Sequence, residues 1–140
     1  MTAEQVVRIF FEEVRSGLNP DYASQVMAEQ VLAHQVISEE EVTVKRTPSD
    51  YAEHVREMIE AYGAFTLEIQ EMITQGSKVY VRWKQTGTHT GQVDHYSPTG
   101  LPVVEIASAV YRVENEQIAE YWIQIDRLGI ERQLERNLNR

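Results

Sequence analysis

The chain has 140 residues, and 22 acidic side chains against 13 basic ones leave a formal charge of −9 at pH 7. That length fits a single domain, 1–140, large enough to bury a core without disulfide or metal staples. Cysteine is absent, which excludes disulfides, thiolate zinc sites, iron–sulfur clusters and a cysteine nucleophile, and the acidic balance argues against nucleic acid or an anionic membrane as the partner.

Thr2 opens the first helix, with Gln5 at the spacing of a capping box. Val6, Val7, Phe10, Phe11 and Val14 recur on one face, and Gly17 supplies a left-handed end. Asn19-Pro20 restarts a short helix whose apolar side is Tyr22, Val26 and Met27. Gln30 to Ile37 reads as a short strand, and Glu39-Glu40-Glu41 as a solvated turn. Thr47-Pro48-Ser49-Asp50 opens a longer helix; Tyr51, Val55, Met58, Ile59 and Tyr62 form its stripe, and Gly63 closes it.

The second half reads as strands. Phe65, Leu67, Ile69 and Ile73 alternate with polar residues, as on a half-buried strand. After a turn at Gly76, Val79, Val81 and Trp83 alternate with Tyr80, Arg82 and Lys84. Val103 to Val113 is a third strand and Ile118 to Ile125 a fourth, joined by Glu114-Asn115-Glu116. Residues 91–102 form the longest loop, and a last helix carries Ile130, Leu134 and Leu138 on one side. Consecutive strands joined by short turns pair antiparallel, with the helices over one face, so the expected class is α+β. A curved sheet wrapped around helices leaves a pocket between them, where a small ligand can sit.

No segment reaches the run of about 20 apolar residues that spans a bilayer. The start, Met1 to Gln5, lacks a basic stretch, so no signal peptide is expected and the cytoplasm is the expected location. The histidines lack the i, i+4 and His-x-His spacings of a metal site, and no metal or organic cofactor is expected. Gly87 and Gly91 lack the Lys-Ser/Thr that completes a phosphate loop.

The stretch Val81-Arg82-Trp83-Lys84-Gln85-Thr86-Gly87-Thr88-His89-Thr90-Gly91, then Pro98-Thr99-Gly100, then Ile118 to Leu134 with Glu120-Tyr121-Trp122, Asp126-Arg127-Leu128-Gly129 and Gln133-Leu134, resembles the SnoaL-like polyketide cyclases. The likeness is dense from Val79 to Leu134. It implies the nuclear-transport-factor-2-like cone, in which a curved antiparallel sheet wraps around N-terminal helices, usually as a homodimer. It also implies a ring-closing aldol reaction on a small apolar or aromatic carbonyl compound, with an aspartate in the last strand as base. That aspartate falls on Asp126. Tyr121 stands where the family usually has histidine.

Trp122, Gln124 and Asp126 share one face of the last strand; Tyr121, Ile123 and Ile125 share the other. Either face could point inward on pattern alone, and the resemblance favours Trp122 and Asp126. Asp126 also precedes the last helix and suits an N-cap, a role compatible with catalysis. His89 is the second candidate catalytic residue, as a hydrogen-bond donor to the enolate, or else it satisfies turn backbone. His34, His54, Tyr51, Trp83 and Gln85 join Trp122 and Gln124 as candidate substrate contacts, with core packing the alternative for Trp83 and His34. Two other functions remain open: a protein that binds an apolar metabolite without turnover, and an epoxide hydrolase. The hydrolase needs two carboxylates with an arginine between them, for which Asp126 with Arg112 or Arg82 is a start.

Overall fold

The structure, a computed structural model, describes all 140 residues. Helix α1 (Ala3–Ile9) is closed at its start by the Thr2–Gln5 capping box, and the chain continues into a π-helical segment, Phe10–Arg15. A 3-10 turn (Pro20–Tyr22) and a single turn, α2 (Ala23–Val26), lead into strand β1 (Met27–Gln35). Strand β2 (Val42–Arg46) precedes α3 (Pro48–Tyr62), whose first turn is held by a second capping box between Thr47 and Asp50. Strands β3 (Thr66–Gln75), β4 (Lys78–Thr88), β5 (Pro102–Glu114) and β6 (Gln117–Ile125) follow, and α4 (Arg127–Asn137) ends the chain.

The strands form one curved open sheet in the order β2-β1-β6-β5-β4-β3. Every pairing is antiparallel except β1 with β6, which the connection through β2, α3 and three strands brings side by side in parallel. Short turns between neighbours could not announce that pair. The expected class, α+β with a curved sheet around N-terminal helices, is the observed one.

Two differences from the sequence reading have local causes. The strand expected at Gln30–Ile37 begins three residues earlier, at Met27, and a sixth strand, β2, follows the acidic turn. In β3 the register shifts between Ile69 and Glu71, so Met72 turns toward the core and Ile73 stands 54% exposed. A one-residue bulge exchanges the faces of every later side chain.

The core lies between α1, the π-helical segment, α3 and the concave face of the sheet. Its centre is aromatic: Phe11 packs on Trp83 at 5.2 Å, and Phe10 on Tyr111 at 5.4 Å. Around this layer Val6, Val7, Val14, Val79 and Val81 are fully buried. The apolar stripe expected on the first helix is therefore the one that folds inward.

Candidate functional site

Beneath α3, between that helix and β1, β5 and β6, lies a recessed hollow with a volume near 230 Å³. Larger recesses open on the outer surface; the one beside α4 carries Asp94, His95, Arg127 and Glu131, all of them exposed, and two beside the π-helical segment hold Glu12 as their one charged side chain. The wall of the hollow draws its residues from separate elements. Tyr51, His54 and Tyr62 come from α3, Glu105 from β5, Tyr121, Ile123 and Ile125 from β6, Arg46 from the end of β2, and Arg15 from the π-helical segment.

Arg15 is the deepest charge, only 4% exposed. Its Nη1 donates to Gln85 Oε1 at 2.7 Å and its Nη2 to Glu105 Oε2 at 2.9 Å. The guanidinium also lies 5.6 Å from the Trp83 ring and 5.7 Å from Phe65. A buried guanidinium is tolerated only when its fork is matched in this way. The π-helical turn makes the burial possible, because its wider turn keeps pairs four residues apart on one line: Val6/Val7, Phe10/Phe11, Val14/Arg15. That spacing was visible in the sequence and is the signal by which Arg15 could have been found.

Glu105 is the one carboxylate of the wall. With one oxygen on Arg15 and a half-buried side chain, it is fixed in orientation. His54 lies edge-on to Tyr51, with ring centroids 5.9 Å apart. Burial first, then the nearby Arg46 and Arg15 charges, push its pKa down to about 4, so the imidazole is neutral at pH 7. Burial also raises Tyr51, Tyr62 and Tyr121 above the ordinary tyrosine value, and their hydroxyls stay protonated as donors. Arg46 is half-buried and enters no ion pair; its Nε is buried with no hydrogen-bond partner. An unpaired buried donor of this kind costs about 1–3 kcal/mol unless something binds it. No three His, Asp or Glu side chains converge as a metal site would require.

Of the candidate contacts, Tyr51 and His54 line the hollow. The others do not. Asp126 is exposed; its Oδ1 accepts from Gly129 N at 2.9 Å as the N-cap of α4. The expectation that it looks into an enclosed space is thereby corrected, because β6 turns its Tyr121, Ile123 and Ile125 face inward. Trp122 and Gln124 lie on the opposite face, and Gln124 is exposed. Trp122 stacks on His34 at 5.1 Å, while His34 bonds Thr43 and Glu120, outside the hollow. Trp83 is core, and Gln85 serves Arg15 rather than a ligand. His89 is fully buried with both ring nitrogens unpartnered and does not reach the hollow, so neither the donor role nor the turn-satisfying role is realised.

The start of an epoxide-hydrolase set is not assembled either. Arg112 pairs with Glu120 and Glu114, and Arg82 with Glu71, away from the hollow. Within it, Arg15 spans one carboxylate and one amide, Gln85, where that chemistry needs two acids. The residues missed in the sequence are Arg15, Arg46, Glu105 and Arg127; only Arg15 belongs to a local spacing, that of the paired positions along the first helix.

The sequence profile of the SnoaL-like polyketide cyclases matches residues 5–134. No curated protein matches the chain. Among solved structures, a candidate polyketide cyclase from Acidithiobacillus ferrooxidans is 22% identical, with a TM-score of 0.84 over 98% of this chain and 96% of its own. IdmH, a candidate polyketide cyclase from Streptomyces antibioticus, is 18% identical with a TM-score of 0.80, covering 96% and 99%. A Catenulispora acidiphila protein with a ketosteroid isomerase-like fold is 12% identical with a TM-score of 0.72, covering 96% and 95%. These similarities establish the fold.

Proposed function

The chain belongs to the SnoaL-like polyketide cyclase family, and from that premise we propose that it is a cofactor-independent enzyme that enolises a small carbonyl compound in the hollow under α3, cyclising or isomerising it. The observation that carries this reading is Glu105: a carboxylate on the wall of a recessed space of mixed apolar and polar lining, oriented by a buried arginine.

The chemistry needs a base for a carbon-bound proton and donors for the enolate oxygen. The free oxygen of Glu105 takes the proton, and the electron pair moves onto the substrate carbonyl oxygen. Neutral hydroxyls of Tyr51 and Tyr121 donate to that oxygen as charge develops. The enolate carbon then attacks a second carbonyl, closing a ring, or regains the proton at another carbon, shifting a double bond. In the first case the alkoxide formed takes back the proton held by Glu105. Arg15 keeps the carboxylate pointed at the cavity. Neutral His54 adds one donor and one acceptor to the same wall.

The test is deuterium exchange at the carbon beside the carbonyl of small cyclic ketones and oxo acids, followed by NMR. The wild-type protein accelerates exchange. Glu105→Gln, which keeps an acceptor for Arg15, lowers the rate by about 10²–10⁴. Asp126→Asn, which keeps a favoured cap, stays within about tenfold of wild type. Loss in Asp126→Asn with retention in Glu105→Gln overturns the assignment of the base. No acceleration by the wild-type protein leaves a binding protein without turnover.

A further inference from the structure

The hollow is electropositive in a strongly acidic chain. Its wall carries three guanidinium groups, Arg15, Arg46 and Arg127, against the single carboxylate of Glu105, while the whole protein has a formal charge of −9. Arg15 is consumed by Glu105 and Gln85. Arg46 has no ion pair, and its buried Nε has no acceptor. Arg127 donates only to the neutral amide oxygen of Gln35, at 3.2 Å. Asp50 lies within electrostatic reach of Arg46 without forming an ion pair with it, and its carboxylate accepts from the Thr47 backbone at 3.0 Å in the cap of α3.

We propose that the ligand of this hollow is a compact organic carboxylate, its carboxylate bound by Arg46 and Arg127 and its body lying against Tyr51, Tyr62 and Ile123. The inference rests on the hollow being the ligand site, as in the reading above, and adds the charge and size of what enters. Two guanidinium groups on the lining have no ion-pair partner, Arg46 half-buried and Arg127 at the exposed rim, and a guanidinium–carboxylate contact would complete that arrangement. The space is about 230 Å³, below the range of about 300–1,000 Å³ that serves drug-sized ligands, so a single ring with short substituents fills it. A phosphate is the weaker fit. Phosphate sites draw on free backbone amides at helix starts or glycine-rich loops. Here the amide of Gly129 at the start of α4 is already occupied by Asp126.

The experiment is calorimetric titration at low ionic strength with benzoate, benzamide and inorganic phosphate. Benzoate and benzamide share shape and differ in charge. The wild-type protein binds benzoate at least about tenfold more tightly than benzamide, and the preference shrinks as salt is added. Arg46→Gln and Arg127→Gln each cut benzoate affinity by about tenfold or more, and Arg46→Lys recovers part of the loss. Thermal melts of each variant establish that it is folded. Equal binding of benzoate and benzamide, or unchanged preference in both glutamine variants, overturns the proposal. Phosphate binding tighter than benzoate overturns the carboxylate assignment. Glu105→Gln separates the two readings, because it keeps or strengthens benzoate binding while losing exchange. Normal exchange in Glu105→Gln sinks the catalytic reading alone, whereas an unchanged preference in the arginine variants sinks this one alone.

Discussion

The seat of α4 and the hollow under α3 are built in opposite ways. The polar contacts of the seat join one short stretch of chain to the start of one strand, and Tyr96 of the long loop packs beside them. Asp126 caps Gly129, Gln133 both donates to and accepts from the Val104 backbone at 2.8 Å, Asn137 donates to Pro102 O, and Leu134 is buried between them. Gly129 leaves room for that cap, since a Cβ there would overlap the Asp126 carboxylate and force it to move. Gly91 has a similar task, as its Cβ would meet the Glu60 carbonyl at the end of α3 at 2.5 Å. The most recognisable motifs of the chain are thus docking devices. The hollow, by contrast, takes Arg15, Arg46, His54, Glu105, Tyr121 and Arg127 from six separate segments. Motif density marks where elements lock together; ionisable chemistry is dispersed over many elements, α3 alone supplying more than one such side chain.

The largest effect that bears on this contrast falls in the dispersed set. Arg15→Ala leaves Glu105 and Gln85 facing a buried gap. Breaking one partner of a buried ion pair costs about 3–5 kcal/mol, against a total of about 5–15 kcal/mol for a domain. Because Glu105 retains some solvent contact, the loss lies toward the lower figure. Urea denaturation measures it. A double variant, Arg15→Met with Glu105→Gln, recovers much of the stability, since no charge is then left unpaired. A loss below about 1 kcal/mol in Arg15→Ala would mean that the pair is solvated and the hollow is not built around it.

The second effect is smaller and depends on pH. His54 has a folded pKa of about 4 against an ordinary 6.5. Above pH 6.5 the imidazole is neutral in both states and its contribution is complete. As pH falls from 6.5 toward 4, the unfolded chain takes up a proton that the folded chain refuses, so stability drops. The full loss is about 3 kcal/mol at most, from 1.36 kcal/mol for each pKa unit. His54→Gln removes this slope. The window from pH 6.5 to 5.5 isolates it, because Asp50, Glu116 and Glu120, whose folded pKa values are lowered, lose their contribution only as pH falls through the ordinary carboxylate range below that window. Parallel stability curves for wild type and His54→Gln across that window would show an imidazole in open contact with water, and with it a hollow that does not exclude solvent.

Elements with strong periodicity were legible in the sequence: the capping boxes at Thr2 and Thr47, the stripe of α3, the alternation of β4. Features that depend on distant chain were not. The parallel β1–β6 pair, the bulge in β3 and the short edge strand β2 are set by tertiary packing. The face of β6 is instructive. Its hydropathy alone, Tyr121, Ile123 and Ile125 against Trp122, Gln124 and Asp126, leans toward the observed orientation, and resemblance pulled the reading the other way. In the site itself, Tyr51 and His54 were reachable because Tyr51 lies in the stripe of α3 and His54 borders it. Glu105 and Arg46 were not, since each is a single polar residue near a strand end, where solvent is the ordinary neighbour.

The smallest expected effect sharpens the contrast from the side of the α4 seat. Asp126→Ala removes one side-chain acceptor from the first turn of α4 and, on the assignment made here, no catalytic group. Loss of an N-cap costs about 1 kcal/mol, within a range of about 0.5–2. Asp126→Asn restores most of it, as asparagine caps comparably. Exchange activity at the substrate carbon changes by less than about tenfold in either variant. If the seat and the hollow are separate in function as well as in construction, stability and activity must therefore part company at this residue. A fall in activity of a hundredfold or more with stability unchanged would join them again, making the cap carboxylate part of the reaction.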